Sequence, residues 1–284
     1  MAIRTGRRQA GSRPKPPLRT TPNALAKEHS KESGPQLDRA VFVRPIAHRG
    51  WHDKAHGRVE NTAPAFRAAI ERGYGIECDL QGAEDGTPMV FHDHKLDRLM
   101  AAKGHIAAYS ARALAALRYR GQEEGILTFA ELLELVGGRV PLLVEVKRDG
   151  KLRPGFLESI ARQARAYKGP MALMSFDRKV VTSLGELTPA VPRGALIGSR
   201  QLLSSLWAGH SRTRESPAAS RLFGSAPEGV GFYAVQINLV AVARTWMRRH
   251  GHDLPLFTWT VRTDRQRARA MRWADAPIFE GYAA

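Results

Sequence analysis

Side chains that exchange protons or hold ions are concentrated in residues 46–98, and each lies near the end of a short apolar run. Histidine changes charge near neutral pH, while carboxylates and arginine bind groups of opposite charge. An isolated histidine is more often a core residue, and an isolated acid pair is more often a solvated strand end. Their concentration at successive run ends indicates a functional site. The residues concerned are His48, Arg49, Glu60, Glu77, Asp79 and His92.

Two acids, Glu77 and Asp79, are separated by one residue at the end of an apolar run. Side chains alternate between the faces of a strand, so the two carboxylates point to one side. A later run places Glu145 and Lys147 in the same relation. If the two strands are neighbours, three carboxylates meet near one lysine, which is unfavourable without a cation or proton. Oxygen ligands of this kind suit calcium or magnesium better than zinc.

Strand-like and helix-like runs alternate from residue 41 onward. A chain of 284 residues that is 43% hydrophobic can bury one large core, as single-domain barrels of about 250 residues do. The alternation predicts an α/β fold, a single (β/α)₈ TIM barrel with its active groups at the C-terminal strand ends. Nine strand candidates compete for eight positions: 41–47, 76–79, 89–91, 140–146, 171–175, 195–197, 234–238, 256–261 and 277–279. Predicted helices are 61–72, 128–136, 152–167 and 180–187.

The connection formed by residues 80–87 has two readings. Eight residues with a turn at Glu84-Asp-Gly86 are short for a helical crossover between parallel strands, which favours a hairpin. Eight extended residues also span about 26 Å, enough to return along one strand length. The second reading brings Asp79 and His92 to the same end of a parallel sheet.

Residues 1–40 are predicted to be a disordered basic arm in front of a barrel domain, residues 41–284. The arm has five prolines and nine Lys or Arg against three Asp or Glu. It buries too little apolar surface to offset the entropy of ordering. The whole chain has a net charge of +17, which attracts phosphate-bearing substrates, anionic membranes or other polyanions without specifying one. A generally basic proteome would give the same composition.

Sequence features that direct a chain to a membrane or an oxidising compartment are not found. No apolar run of about 18 residues is present, and no apolar core follows the Arg7-Arg8 pair. The single cysteine, Cys78, cannot form an internal disulfide. We expect a cytoplasmic protein, with an organelle transit peptide as the alternative. No specific nucleic acid and no protein partner are expected, and membrane contact through the arm would be weak.

The order of the motifs resembles the glycerophosphodiester phosphodiesterase family over residues 42–282. The resemblance rests on His48-Arg-Gly, Glu60-Asn-Thr with Ala-Phe soon after, Ile-Glu-x-Asp, Asp-Gly-x-Pro-x-Val-x-His-Asp with a following Leu-x-Arg, Glu-x-Lys, Ser175-Phe and Trp259-Thr-Val. It implies a TIM barrel and favours the parallel return of residues 80–87, with one outer helix missing there. The family's last strand ends near Thr-Asp, whereas this chain has Ile278-Phe-Glu280, so the role of Glu280 stays open.

The resemblance also implies a role for each candidate residue. Glu77, Asp79 and Glu145 would hold a divalent cation, calcium or magnesium, and Arg49 and Lys147 would hold the phosphate. His48 and His92 would exchange protons, with His92 as donor and His48 as acceptor in the preferred order. Glu60 would bind a substrate hydroxyl or brace Arg49. Apart from the resemblance, the aromatic residues Trp51, Phe176, Trp259 and Tyr282 could line a pocket, with Trp259 as the predicted substrate contact, although isolated barrel aromatics are more often packing residues.

The predicted activity is metal-dependent hydrolysis of glycerophosphodiesters to glycerol 3-phosphate and an alcohol, in lipid and glycerol metabolism. The substrate hydroxyl next to the ester could attack first, giving a cyclic phosphate that water opens. The alcohol is undefined, and a lysophospholipid substrate is the alternative within this chemistry. A non-catalytic barrel that binds anions is the alternative of another class. The complete set of acids and histidines disfavours it.

Overall fold

A closed ring of parallel strands organises the chain. The computed structural model describes residues 1–2, 34–148, 150–199, 223–224 and 226–284. The chain divides into two units, Met1–Lys31 and Glu32–Ala284, and the ring belongs to the second. Its strands are β1 (Ile46–His48), β2 (Gly75–Gly82), β3 (Pro88–Val90), β4 (Leu142–Val146), β5 (Met171–Ser175), β6 (Arg193–Ile197), β7 (Phe232–Gln236), β8 (Leu256–Val261) and β9 (Ala276–Phe279).

Eight of these strands form the barrel, and β9 pairs with β1 to close it. All eight pairings around the ring are parallel. The predicted single (β/α)₈ barrel is therefore confirmed, and the surplus strand candidate is β3.

The strand alternation divides the core into two layers. Residues such as Ile46, Leu143 and Phe257 pack together in one cluster, which fills the barrel interior. Their strand neighbours, such as Ala47 and Val144, pack in a second cluster with the outer helices. Cys78 belongs to the outer layer, so the residues on either side of it on β2 point inward.

The segment before β1 is helical at residues that the sequence pattern assigned to a strand. Helix α1 (Arg39–Phe42) is capped by Asp38, whose carboxylate accepts a hydrogen bond from Ala40 N at 2.9 Å. Phe42 and Leu37 pack in the interior cluster of the barrel. The strand predicted for residues 41–47 is thus wrong before Ile46, because burial of Phe42 against the barrel interior outweighs the β-propensity of the valines.

The parallel return predicted for residues 80–87 is also wrong. Strand β3 pairs antiparallel with β2, with Leu80 opposite Val90, so the hairpin reading is correct. The physical reason is the length of β2, which continues to Gly82 beyond its last pair with β4 at Leu80. The antiparallel return brings Phe91 N within 3.0 Å of the Asp79 carbonyl oxygen. His92 consequently lies at the same barrel end as Asp79.

The outer helices are α2 (Ala63–Glu71), α3 (Ala111–Ala116), α4 (Phe129–Val136), α5 (Phe156–Ala166), α6 (Arg178–Leu187), α7 (Val240–Arg249) and α8 (Asp264–Trp273). Both α3 and α4 lie between β3 and β4, so the outer helix predicted to be missing after β2 is present. Among the elements whose bounds the structure describes, no helix stands between β6 and β7 or after β9. Helix α4, predicted for residues 128–136, is capped by Thr128 and ends at Gly137, which has a φ of 55°.

Two predicted features lie largely outside the described residues. The arm covers residues 1–40, of which 3–33 are not described, so its disorder and the boundary after residue 40 remain predictions. Residues 201–231 have the least regular sequence pattern and are predicted to carry an insertion that shapes the substrate mouth, but they overlap residues 200–222 and 225, which are likewise not described. Among the residues that are described, no helix has the length and apolar character needed to cross a bilayer.

Candidate active site

Three carboxylates from two neighbouring strands converge at the C-terminal end of the barrel. Strands β2 and β4 pair so that Asp79 lies opposite Glu145, and Glu77 precedes Asp79 on the same inward face. The three residues are 1%, 8% and 2% exposed respectively. One oxygen of each lies within 4.8 Å of the others. The convergence predicted from the two-residue spacing is confirmed.

The three acids are not equally easy to ionise. Burial raises the pKa of Glu77 well above its ordinary value, and the charges of Asp79 and Glu145 add to this. Burial raises the pKa of Glu145 to about 7, although Lys147 opposes the shift. Burial also works against ionisation of Asp79, but Lys147 and Arg49 outweigh it and lower the pKa. The cluster therefore has too little positive charge nearby to keep all three carboxylates ionised.

The chemistry of this cluster fits a hard divalent cation. All three groups supply oxygen, the donor that calcium and magnesium prefer. Asp79 Oδ1 is buried, and its ionic partner is Lys147 Nζ at 2.9 Å. A cation ligated there would use this oxygen and offset the repulsion within the cluster.

Two basic side chains border the acids. Lys147 Nζ donates a hydrogen bond to Glu145 Oε1 at 2.7 Å. Arg49 Nη1 donates to Glu60 Oε1 at 2.7 Å, and its Nε lies 3.4 Å from Asp79 Oδ2. Both side chains are largely buried, at 10% and 16% exposed. Arg49 Nε is buried, and the group that faces it is the carboxylate of Asp79.

A strained backbone turn after β1 places Arg49 beside the acids. Arg49 and Asn61 both have a φ of 57°, in the left-handed region that non-glycine residues rarely adopt. Arg49 N donates to Glu77 Oε2 at 3.1 Å, and Asn61 Nδ2 donates to Asp79 Oδ2 at 2.8 Å. Gly50 has a φ of 77°, and a Cβ there would lie 2.9 Å from Ala65 C. The His-Arg-Gly sequence thus meets a conformational need as well as a chemical one.

His48 is held by a carboxylate from the far end of the chain. Its Nδ1 lies 2.7 Å from Glu280 Oε2, which is also 3.3 Å from His52 Nε2. Arg262 donates to the other oxygen of Glu280. Burial works against ionisation of Glu280, but the hydrogen bonds from His48 and His52 outweigh it and lower the pKa. His48, His52 and Glu280 have the spacing of metal ligands, yet Glu280 is already engaged by three donors.

His92 has an equivalent partner next to it in sequence. Its Nδ1 lies 2.6 Å from Asp93 Oδ1. Arg98 donates to Asp93 Oδ2 at 2.5 Å and also to both oxygens of Glu60, at 2.6 and 2.9 Å. Glu60 in turn accepts from Arg49. An unbroken chain of ion pairs therefore joins His92 to Arg49.

The protonation of both histidines follows from these contacts. Burial lowers the pKa of His48, partly offset by Glu280. Burial likewise lowers the pKa of His92, partly offset by Asp79 and Asp93. An ionised carboxylate only accepts hydrogen bonds, so each neutral ring carries its proton on Nδ1. Nε2 of each ring is then free to take part in proton transfer.

The remaining wall of the site is largely apolar. A cavity of about 340 Å³ is lined by both histidines, Arg49, Lys147 and two of the acids, together with the rings of Phe176 and Trp259. These rings pack edge to face with centroids 5.5 Å apart, and Trp259 Nε1 donates to Ala234 O. Trp51 and Tyr282 are not in this cavity. Instead, Trp51 Nε1 donates to Tyr282 O.

The sequence is similar to that of a known protein family. A profile of the glycerophosphoryl diester phosphodiesterase family matches residues 48–280. The chain belongs to this family. The matched range includes all the candidate site residues, from His48 to Trp259, and ends at Glu280.

Members of the family with curated names are similar over much of the chain. A glycerophosphodiester phosphodiesterase of Caldanaerobacter subterraneus subsp. tengcongensis is 29% identical over 163 residues, 53% of this chain and 65% of that protein. A second, from Bacillus subtilis, is 24% identical over 84% of both chains. Membership of the family places this chain among phosphoric diester hydrolases.

Solved structures confirm the fold. An Oleispira antarctica phosphodiesterase in complex with its product sn-glycerol-3-phosphate superposes with a TM-score of 0.65, 19% identity and coverage of 87% of this chain and 93% of that one. A Thermotoga maritima glycerophosphodiester phosphodiesterase superposes with a TM-score of 0.60 and 22% sequence identity. The match covers 84% of this chain and 94% of that one. At these identities the likeness concerns the barrel alone.

Sequence reasoning missed several members of this family site. Arg98 ends the Leu-x-Arg motif but was given no role. Asn61 stands inside the Glu-Asn-Thr motif, and its contact with Asp79 could have been sought there. His52 and Arg262 meet Glu280 only because β1, β8 and β9 are brought together by barrel closure, so no local signal points to these contacts. The sequence singled out Glu280 itself but left its role open.

Proposed function

We propose that this glycerophosphoryl diester phosphodiesterase family member hydrolyses glycerophosphodiesters to glycerol 3-phosphate and an alcohol, using calcium or magnesium. One observation carries the proposal. A single cavity at the barrel mouth is lined by the two histidines, two basic side chains (Arg49 and Lys147) and two carboxylates of the acid cluster. Hydrolysis of a phosphodiester needs charge stabilisation at the phosphoryl oxygens, a proton acceptor and a proton donor. That cavity contains candidates for all three.

The charged side chains would bind and orient the phosphate. In the proposal Glu77, Asp79 and Glu145 hold the cation, which would supply charge stabilisation at the phosphoryl oxygens when bound. Arg49 and Lys147 donate to the same phosphate, since both line the cavity beside the acids. Glu60 braces Arg49 in this scheme, since its two oxygens already accept from Arg49 and Arg98. Trp259 contacts the organic part of the substrate.

The two histidines would divide the proton transfers. His48 Nε2 lies 3.9 Å from Glu77 Oε2, close to where the attacking hydroxyl would be held, so we assign it as proton acceptor. The side chain of His92 is 33% exposed, against 11% for His48. A group that protonates a departing alcohol must face the open side of the site, so we assign His92 as proton donor.

Two findings about relatives support the choice of substrate. The curated relatives are named glycerophosphodiester phosphodiesterases, and the Oleispira antarctica structure contains sn-glycerol-3-phosphate as product. The cytoplasmic location expected from the sequence remains part of the proposal. It rests on sequence pattern and on the free, buried state of Cys78.

The test is release of glycerol 3-phosphate from glycerophosphocholine by the full chain, with and without a chelator. Activity should be lost with chelator and return with calcium or magnesium, and Glu77→Ala, Asp79→Ala and Glu145→Ala should each weaken metal binding in a direct titration. Glu134→Ala, an exposed acid on α4, is the matched control. A ligand variant that binds metal as tightly as the parent, or restoration by zinc alone, would contradict the proposal.

The same assay separates the alternatives. A long-chain lysophospholipid tested beside glycerophosphocholine measures the lysophospholipid alternative. Absence of hydrolysis of every diester under all metal conditions, with anion binding retained, would favour the non-catalytic barrel.

A further inference from the structure

A second cavity adjoins the candidate active site and is strongly basic. It has a volume of about 390 Å³ and lies between the hairpin end of β2, the loop before α5 and a turn near residue 105. Lys147 lines both this cavity and the active-site cavity. The two spaces are therefore neighbours that meet at a proposed phosphate-binding residue. We call it the basic cavity. Its charged lining residues are Lys147, Lys151 and Arg153.

The charge of the basic cavity is one-sided. Among its described lining residues, three carry a positive charge and none is acidic. Lys151 and Arg153 are exposed, so their charges are directed to solvent-accessible space and cost little to maintain. The N-terminus of α5 at Phe156 also lines the cavity and adds the positive end of a helix dipole. An anion would be attracted here, and a cation would be repelled.

The basic cavity lies next to the histidine that we assign as proton donor. Gln81, which is 3% exposed, lines the cavity and donates through Nε2 to the carbonyl oxygen of His92 at 3.0 Å. A phosphodiester carries two organic groups, and the group that departs as the alcohol must lie near the proton donor, His92. With the phosphate at Arg49 and Lys147, the basic cavity is positioned to receive the departing alcohol.

We propose that the basic cavity binds the alcohol portion of the substrate and selects alcohols that carry an additional anionic group, such as a phosphate monoester. The inference rests on the proposed function and names its substrate class. An alcohol with a positive charge, such as choline, gains nothing from Lys151 and Arg153. The lining polar groups, including Gln81 and His105, suit a hydrophilic alcohol rather than an acyl chain.

The test compares two substrates on the full chain. One is glycerophosphocholine, and the other is a glycerophosphodiester whose alcohol carries a phosphate monoester. The wild type should have a kcat/KM at least about tenfold higher for the anionic alcohol, by the same electrostatic attraction that steers charged partners. The double variant Lys151→Glu with Arg153→Glu should lose about tenfold or more in kcat/KM on the anionic alcohol and gain on glycerophosphocholine, because the reversed charges attract the choline cation.

The control variant is Arg162→Glu with Lys168→Glu, which changes the net charge equally at exposed positions on and just after α5. This control should change kcat/KM by the same small factor for both substrates. The milder pair Lys151→Gln with Arg153→Gln should give a smaller loss of the same selectivity, which guards against misfolding of the charge-reversal variant.

Two results would overturn the inference. One is a wild type that does not prefer the anionic alcohol, and the other is a Lys151 and Arg153 variant that loses the same factor on both substrates. Failure of the wild type to hydrolyse either substrate would instead contradict the proposed function, so the two failures are distinguishable.

Discussion

The two histidines of the site have the same kind of partner but obtain it in different ways. His48 binds Glu280, which is 232 residues away in sequence, whereas His92 binds the adjacent Asp93. Each carboxylate is held in turn by an arginine, Arg262 or Arg98. The side chain of His48 is 11% exposed and that of His92 is 33% exposed.

Barrel closure is needed to bring His48 to its carboxylate, whereas the local sequence is enough to bring His92 to its carboxylate. We call these two pairs the His48 half and the His92 half of the site. Glu280 follows β9, which pairs with β1 only when the barrel closes. His48 therefore depends on the whole fold for its orientation. His92 and Asp93 need only the hairpin that returns from β2. The more exposed His92 also faces water, which can partly replace a lost partner.

The largest difference is expected when the carboxylate partners are removed. Glu280→Gln should lower kcat about a hundredfold with a small change in KM, because buried His48 loses the group that fixes its proton on Nδ1. Asp93→Asn should lower kcat only about tenfold. Steady-state kinetics on glycerophosphocholine would measure both.

The conservative variant Glu280→Asp serves as the control, since it keeps the charge and should recover part of the loss. An equal loss in kcat for Glu280→Gln and Asp93→Asn, or a larger loss for Asp93→Asn, would contradict the account. It would show that the exposure of each histidine does not determine how strongly it depends on its carboxylate partner.

A moderate effect is expected for Arg98, which joins the His92 half to Arg49. Arg98→Lys keeps the charge but cannot contact Asp93 and both oxygens of Glu60 at once. We expect kcat to fall about tenfold, with Arg112→Lys on α3 unchanged as an exposed arginine of the same segment. If Arg98→Lys retains full kcat, the ion-pair chain does not position the catalytic groups.

The smallest effect concerns stability in acid. Burial works against ionisation of Glu60, but Arg98 and Arg49 outweigh it and lower the pKa from 4.5 to about 2. Because the folded-state pKa is lowered, the stabilisation is present above pH 4.5 and is lost as pH falls towards 2. The shift corresponds to at most about 3 kcal/mol, reduced by the 43% exposure of Arg98.

Glu60→Gln should remove this pH-dependent part of the free energy of unfolding. Urea unfolding at several pH values would compare it with wild type, and the difference should shrink as pH falls from about 4.5 to about 2. Glu158→Gln, at an exposed acid of α5, is the control. A difference between wild type and Glu60→Gln that is constant over this range would contradict the assignment.

The sequence was most informative where a contact is local. The two-residue spacing of Glu77 and Asp79, and of Glu145 and Lys147, predicted the acid cluster because strand alternation depends on neighbouring residues alone. The barrel itself followed from alternation of strands and helices. His92 and its hairpin were ambiguous only because the length of β2 beyond the barrel is not encoded in a simple pattern.

The sequence was least informative where tertiary packing decides. Val41 and Phe42 have the composition of a strand, but they lie in α1, where Phe42 packs in the barrel interior. A cap signal at Asp38 was present and could have indicated the helix. The contact between Glu280 and His48 had no such signal, since only barrel closure brings the two residues together.

The most direct test of the central claim, that the two histidines have different roles, varies the leaving group. Proton donation matters greatly for a basic alcohol such as choline and little for a nitrophenol, and such catalysis is worth about 10² to 10⁴-fold. We predict that His92→Ala loses most of its activity on glycerophosphocholine but retains much of it on a glycerol phosphodiester with a nitrophenol leaving group. His48→Ala should lose activity on both substrates. The same loss for both variants on both substrates would contradict the division of roles.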